Sequence, residues 1–257
     1  MSNLRQTLQT GHCAVGSWIN TASPVTAELM SAAGFDFLTV DAEHSAVDLP
    51  GAQMLFQAIR AGNANCAPLV RLPGNDYTIT RRFMDAGAVG VIAPLINSAE
   101  QARGVVRAVK YPPEGERGVG FCRANLYGMR FDEAMETAND DTFVCVQIEH
   151  VEAVHNIEEI LSVPGLDAVF VGPYDLSASM GMTAQFEHPT IQQAMKQILE
   201  ACENSRVVPG IHVVQPDVEE VSRRLDEGYR LIAYSLDITM LHRACVDGLA
   251  EIRRRIP

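Results

Sequence analysis

Few side chains in this sequence combine the type and the spacing that chemistry needs, and most of them stand at the ends of short apolar runs. One run ends in Asp41-Ala42-Glu43-His44 and another near Arg71. Later runs end in Gln147-Ile148-Glu149-His150, Gly172-Pro173-Tyr174-Asp175 and Ser235-Leu236-Asp237. Glu149 and Asp175 close neighbouring runs. Two carboxylates facing one mouth repel unless a cation sits between them, and oxygen ligands favour a hard divalent ion such as Mg2+ or Mn2+, with Co2+ as a third choice. Two protein carboxylates leave coordination positions open for water or a chelating substrate, which is how a Lewis acid is built. The same spacing allows each carboxylate to be a helix cap or an ion-pair partner, and Asp175, ahead of Leu176-Ser177-Ala178, reads equally as an N-cap.

His44 follows Asp41 by three residues. A nearby carboxylate can hold an imidazole in one tautomer and keep it basic, which suits a general base; the competing reading is a surface-loop histidine. Of the seven histidines, only His44, His150 and His212 fall at run ends. Arg71 closes Pro68-Leu69-Val70-Arg71, placed either to hold a carboxylate or a developing oxyanion or to make a rim ion pair. Trp18, the only tryptophan, either walls the pocket or is plain core. The only two lysines, Lys110 and Lys196, lie on helical stretches. Imine chemistry needs a desolvated lysine in the pocket, so the residues favour a metal enolate instead. Glycine-rich phosphate loops are also missing from the ends of the last two runs, Val213–Asp217 and Ser235–Ile238.

Elements must carry these groups to one place. Eight runs read as strands: 13–19, 35–41, 68–72, 90–95, 143–149, 168–172, 207–213 and 230–236. Most are nearly continuous apolar sequence, as strands buried on both faces should be. Helical patterns follow them, the first opening at Ser23-Pro24 and stopping at Gly34. The others are 49–60, 77–85, 98–110, 151–161, 189–203, 217–227 and 239–254. Eight strand–helix units in 257 residues match an α/β fold of the (β/α)8 barrel type. A doubly wound sheet usually has a glycine-rich turn after its first strand, and Trp18-Ile19-Asn20-Thr21 is none. The active site of such a barrel lies where its strands end. The rhythm breaks only at 111–141, a long stretch with a short helix near 132–137. With no linker or low-complexity segment in view, one barrel domain over 1–257 is the simplest expectation.

Composition agrees with a catalyst of small molecules. The chain is 47% hydrophobic and carries a formal charge of −12, which argues against nucleic-acid partners. Its six cysteines are scattered without a CxxC pair, so neither a disulfide framework nor a zinc knuckle is expected. Cys13 and Cys145 read as small core residues. The N-terminus has no signal-like apolar region, and no stretch approaches the roughly 18–20 apolar residues of a membrane helix. A cytoplasmic location follows as an expectation, with no membrane partner.

Four segments carry a resemblance across nearly the whole chain. Phe35–His44, Tyr111–Gly118, Val146–Glu149 and Val169–Ser177 resemble, in order, the HpcH/HpaI family of class II pyruvate aldolases. The resemblance implies a divalent metal on Glu149 and Asp175, chelated by pyruvate through its carboxylate and keto oxygens. It implies that Gln147, Gly172 and the backbone amides around Tyr174 and Asp175 bind the oxo acid, and that Arg71 stabilises the enolate oxygen. His44, paired with Asp41, would be the acid/base, acting through a metal-bound water. Asp85 matches a position that reaches a neighbouring subunit's site. Hexamers built as trimers of dimers, exchanging a C-terminal helix, are implied as well. The activity implied is reversible cleavage of a 4-hydroxy-2-oxo acid to pyruvate and an aldehyde. The alternatives are an oxaloacetate-type decarboxylase using the same enolate, or a non-catalytic barrel that binds oxo acid and metal. Two departures concern the acceptor pocket: Tyr234-Ser235 replaces a common Val-Gly, and His212 replaces an aliphatic residue.

Overall fold

The computed structural model describes residues 4–256. A short helix α1 (Leu4–Gln9) precedes β1 (Ala14–Ile19), α2 (Pro24–Ala32), β2 (Phe37–Asp41) and α3 (Leu49–Gly62). Then come β3 (Ala67–Arg71), α4 (Tyr77–Ala86), β4 (Gly90–Ala93) and α5 (Ala99–Val109). A 3-10 turn (Arg123–Gly128) and α6 (Phe131–Asp141) lead into β5 (Phe143–Ile148), α7 (Val151–His155) and α8 (Ile157–Leu161). The chain finishes with β6 (Ala168–Val171), α9 (Pro173–Ser179), α10 (Pro189–Glu203), β7 (Val208–Val213), α11 (Val218–Asp226), β8 (Leu231–Leu236) and α12 (Asp237–Arg255). The eight strands are parallel and close in sequence order, β8 pairing with β1. This is the expected (β/α)8 barrel.

Alternation along each strand makes two cores. Phe37, Leu69, Ile92, Phe143, Phe170 and Leu231 fill the barrel, while neighbours such as Leu38, Val70, Val91, Val144, Val169 and Ile232 meet the helices outside. Both sets are apolar, which is why the strands read as unbroken hydrophobic runs. Gly16 has no room for a side chain: a Cβ there would sit 2.4 Å from the Phe37 carbonyl oxygen.

Two local readings are corrected, and one element is new. Helix 151–161 is broken at Asn156, whose side-chain amide donates to the Asn97 carbonyl. Cys13 is exposed just ahead of β1, whereas Cys145 is buried as expected. Helix α1 has no obvious sequence signal, yet Leu4 and Leu8 pack onto the barrel's inner cluster. The last helix, α12, is unusual in the opposite sense. Of its residues only Asp237 is buried, and Leu241, Val246, Leu249 and Ile252 stand exposed.

Candidate active site at the strand ends

The carboxylate of Asp41 organises one half of the site. It is fully buried at the end of β2 and accepts from Arg71 twice, Nε at 2.9 Å and Nη2 at 2.6 Å. Asn20 Nδ2 and the backbone amides of Glu43 and His44 donate to it as well. Burial pushes its carboxyl up, but the Arg71 fork and these amides more than offset that and hold it below the ordinary range. Arg71 also lies over the Trp18 ring, 4.5 Å from its centroid, a cation–π contact that fixes the guanidinium plane. The expected pairing of Asp41 with the His44 ring is not formed. Asp41 takes only the backbone N–H of His44, and the imidazole Nε2 instead lies 3.7 Å from Glu43 Oε2. Two residues of a tight turn separate Asp41 from His44, and its side chain leaves the turn toward solvent, 63% exposed.

Glu43, on the same turn, is the residue that motif reading passed over. It lies 3.4 Å from Arg71 Nε. Burial raises its carboxyl; Arg71 and His44 oppose this, while Asp41 and Asp175 add to it. Its place in Asp41-Ala42-Glu43-His44 was the available signal, but strand-end spacing cannot choose among three polar neighbours.

Glu149 organises the other half. It follows β5 and is buried, 4% exposed. The Leu95 amide donates to its Oε1 at 2.7 Å, and Gln147 Nε2 donates to its Oε2 at 2.6 Å. Leu95 has φ of +53°, an uncommon conformation for a branched residue, so the loop after β4 is strained where it serves this carboxylate. Burial raises the Glu149 carboxyl, and the negative charges of Glu43 and Asp175 raise it further. Gly172 is packed against it: a Cβ would stand 2.9 Å from Glu149 Oε2. Asp175 lies exposed in the first turn of α9 and is not its N-cap, a position that Gly172 holds.

Three strand ends thus contribute carboxylates that feel one another. No group of three or more His, Cys, Asp or Glu side chains among the described residues closes into a metal cage. Two carboxylates with open positions between them are not such a cage. The buried charge of Glu149, pressed by two like charges, still fits a divalent cation by its chemistry.

A cavity of about 400 Å³ opens beside these groups. Trp18, Arg71, Gln147, Tyr174, Asp175 and His212 all line it. Trp18 is 3% exposed and serves as both wall and core, edge-on to Phe170. Tyr174 sets its ring edge against Phe186. Asp237, at the end of β8, is used structurally and accepts from the Asn20 and Thr21 amides. His150 caps α7 through Nδ1. Asp85 is not at this mouth. It lies on α4, bound to Arg117 at 2.8 Å, in a second groove with Phe121 and Arg123. Lys110 is buried with Nζ donating to the carbonyls of Asn139 and Thr142, just before β5 begins. It is therefore at the opposite end of the barrel from the cavity.

Relatives match over nearly the whole chain. The hydroxypyruvate/pyruvate aldolase of Roseobacter denitrificans is 36% identical over 243 residues, 94% of this chain and 93% of that one. The 4-hydroxy-2-oxo-heptane-1,7-dioate aldolase of Escherichia coli strain ATCC 8739 is 36% identical over 246 residues, covering 95% and 92%. The crystal structure of an HpcH/HpaI aldolase/citrate lyase family protein from Burkholderia cenocepacia superposes with a TM-score of 0.94 at 35% identity, over 98% of this chain and 100% of that one. The chain is an aldolase, a carbon–carbon lyase of the class that works with a divalent metal. With its residues 14–244 matched by the family model, it belongs to the HpcH/HpaI aldolase/citrate lyase family.

Proposed function

We propose that the chain cleaves a 4-hydroxy-2-oxo acid reversibly to pyruvate and an aldehyde at the mouth of its barrel, with Glu149 and Asp175 holding Mg2+, Mn2+ or Co2+. The observation that carries this is the set of mutually repelling carboxylates beside a cavity that also presents Arg71 and Gln147. When bound, the cation withdraws electrons from the 2-oxo group and so stabilises the enolate. The chain's own residues do the rest. Gln147, Gly172 and the amides of Tyr174 and Asp175 seat the oxo acid. Arg71, held rigid by Asp41 and Trp18, places its positive charge where the enolate oxygen develops. His44 takes the proton of the 4-hydroxyl, its Nε2 3.7 Å from Glu43 Oε2. The C3–C4 bond then breaks, the aldehyde leaves with its new carbonyl, and C3 takes up a proton to give pyruvate. A panel of 4-hydroxy-2-oxo acids, with pyruvate release followed with and without each metal, tests this. Cleavage restored by a divalent ion after EDTA is expected; full cleavage in EDTA would contradict the assignment.

Gly172 offers a second test. Gly172→Ala drives a methyl group against the Glu149 carboxylate, so metal affinity should fall about 10–100-fold. Titration calorimetry with Mn2+ reads this directly, and unchanged affinity would separate Glu149 from the metal.

We further read the chain as one barrel unit that assembles into a homo-hexamer, a trimer of dimers. The exposed apolar face of α12 supports exchange of that helix between subunits. Assembly would bring Asp85 of one copy to the mouth of another. Leu241→Glu with Ile252→Glu should therefore reduce the mass measured by sedimentation velocity; a monomeric parent of full activity would contradict it. The six unpaired cysteines fit a reducing cytoplasm, although Cys13 and Cys245 alone are exposed. Among the described residues no helix is long and apolar enough to cross a membrane.

A further inference from the structure

Strand β7 sends His212 to the cavity wall. Its Nε2 lies 3.1 Å from the Ser235 carbonyl oxygen. A carbonyl only accepts, so the proton is on Nε2 and Nδ1 carries a lone pair. Burial pushes this imidazole down to about 4, with Arg71 adding to the effect against the Ser235 bond, so the ring stays neutral. No described residue donates to Nδ1, yet Nδ1 is not among the sealed polar atoms that lack a partner. It therefore borders open cavity.

The ring's orientation is built in. Ser235 has φ of +52°, a left-handed conformation uncommon outside glycine and costly for most residues. Its Oγ donates to the Val214 carbonyl at 2.9 Å, and its carbonyl accepts from Ser17 Oγ at 3.1 Å as well as from His212. The His212 ring packs 5.6 Å from Trp18, whose buried Nε1 has no partner among the described residues. Gln147 Oε1, also buried, is likewise unmet. Both of those atoms are sealed from the cavity, so His212 Nδ1 is the one of the three that a ligand reaches. An alkyl group leaves this acceptor unmet; a hydroxyl donates to it.

We propose that His212 is a specificity-determining residue that selects a hydroxyl-bearing substrate, its Nδ1 accepting the hydrogen bond of the ligand hydroxyl. The hydroxyl comes either from C3 of the oxo-acid donor or from the carbon next to the carbonyl of the acceptor aldehyde. The proposal rests on the oxo-acid reading of this cavity. Its test is aldol addition in two arms. One compares 3-hydroxypyruvate with pyruvate at a fixed aldehyde; the other compares glycolaldehyde with acetaldehyde at fixed pyruvate. Each arm gives a ratio of kcat/KM values for the parent, His212→Leu and His212→Gln. The glutamine variant keeps a donor for Ser235 and guards against loss of fold in the leucine variant. We expect the ratio in one arm to fall about tenfold in both variants, and the arm that falls identifies the source of the hydroxyl. Parent-like ratios in both arms for a folded variant would overturn the proposal. Exchange of pyruvate methyl protons in D2O by the parent separates the two failures. Exchange with unchanged ratios defeats only the role of His212, whereas no exchange with any divalent metal defeats the oxo-acid reading itself.

Discussion

Glu149→Gln should lower metal-dependent cleavage about a thousandfold while leaving the metal-free protein at least as stable as its parent at neutral pH. Charge stabilisation by a bound divalent ion is worth several kcal/mol, and ~4 kcal/mol corresponds to about three decades of rate. The stability half follows from the environment of Glu149. Burial, then Glu43 and Asp175, hold its carboxyl above the ordinary range. The unfolded chain ionises at lower pH, so folding stability falls as pH rises through the interval between the ordinary and the raised value. Glutamine has nothing to ionise. Below that interval the two proteins should melt alike, and above it the variant should hold an advantage. The neighbouring hydrogen bonds adapt, because Gln147 Oε1 is free of partners and a rotated Gln147 amide can accept from the new side chain. Thermal melts in EDTA across pH, paired with melts in excess Mn2+, measure both halves. Added metal should stabilise the parent and not the variant. A variant that retains activity, or that binds Mn2+ as the parent does, removes Glu149 from the metal site.

Loss of Arg71 should damage both stability and catalysis. Asp41 is fully buried and depends on the two-pronged Arg71 contact. Removing one partner of such a pair costs about 3–5 kcal/mol, because the other charge is left buried and unmatched. Arg71→Ala should therefore unfold at much lower denaturant concentration. It should also lose about 100–1,000-fold in kcat, the usual cost of one oxyanion donor. The pH signature distinguishes this from a general packing defect. In the parent, Asp41 titrates below the ordinary carboxylate range, so its stabilisation is present above that range and disappears as pH falls through the lowered value. Without Arg71 the sign reverses: burial dominates, and mild acid should narrow the gap between variant and parent. Asp41→Asn placed in the Arg71→Ala background should recover stability and leave activity low. Arg71→Lys keeps a charge but loses the fork, so it should fall between the two. If Arg71→Ala is as stable as the parent at neutral pH, the pair is not what holds this side of the mouth.

The barrel was legible because most of its strands are buried on two faces. Apolar runs such as Val144–Ile148 and Val169–Val171 stand out against the charged helices that follow them. Strand ends then pointed to the mouth, and Glu149, Arg71, Gln147 and Asp175 are gathered there. Partner choice was harder to read. His44 at three residues from Asp41 suggested a pair, but a turn this tight gives Asp41 the backbone amide and leaves the ring to Glu43. Glu43 itself owes its role to strand β3, which brings Arg71 alongside, and no local spacing carries that information. The hydrogen bond from Leu95 to Glu149 crosses between strands β4 and β5 through a strained backbone amide. Such a donor has no side-chain signature. The fate of α12 was half visible: its length and apolar residues could be read locally, whereas an apolar face left uncovered within one chain was expected only from the resemblance, with its exchanged C-terminal helix.

Proton exchange at pyruvate is the most direct measurement of the central claim. The purified protein, incubated with pyruvate in D2O and Mg2+ or Mn2+, should replace the methyl protons with deuterium. EDTA should stop the exchange, and Glu149→Gln should lack it. Failure of exchange with every divalent metal tried, or exchange that persists undiminished in EDTA, would contradict a metal-stabilised enolate at the Glu149 and Asp175 mouth.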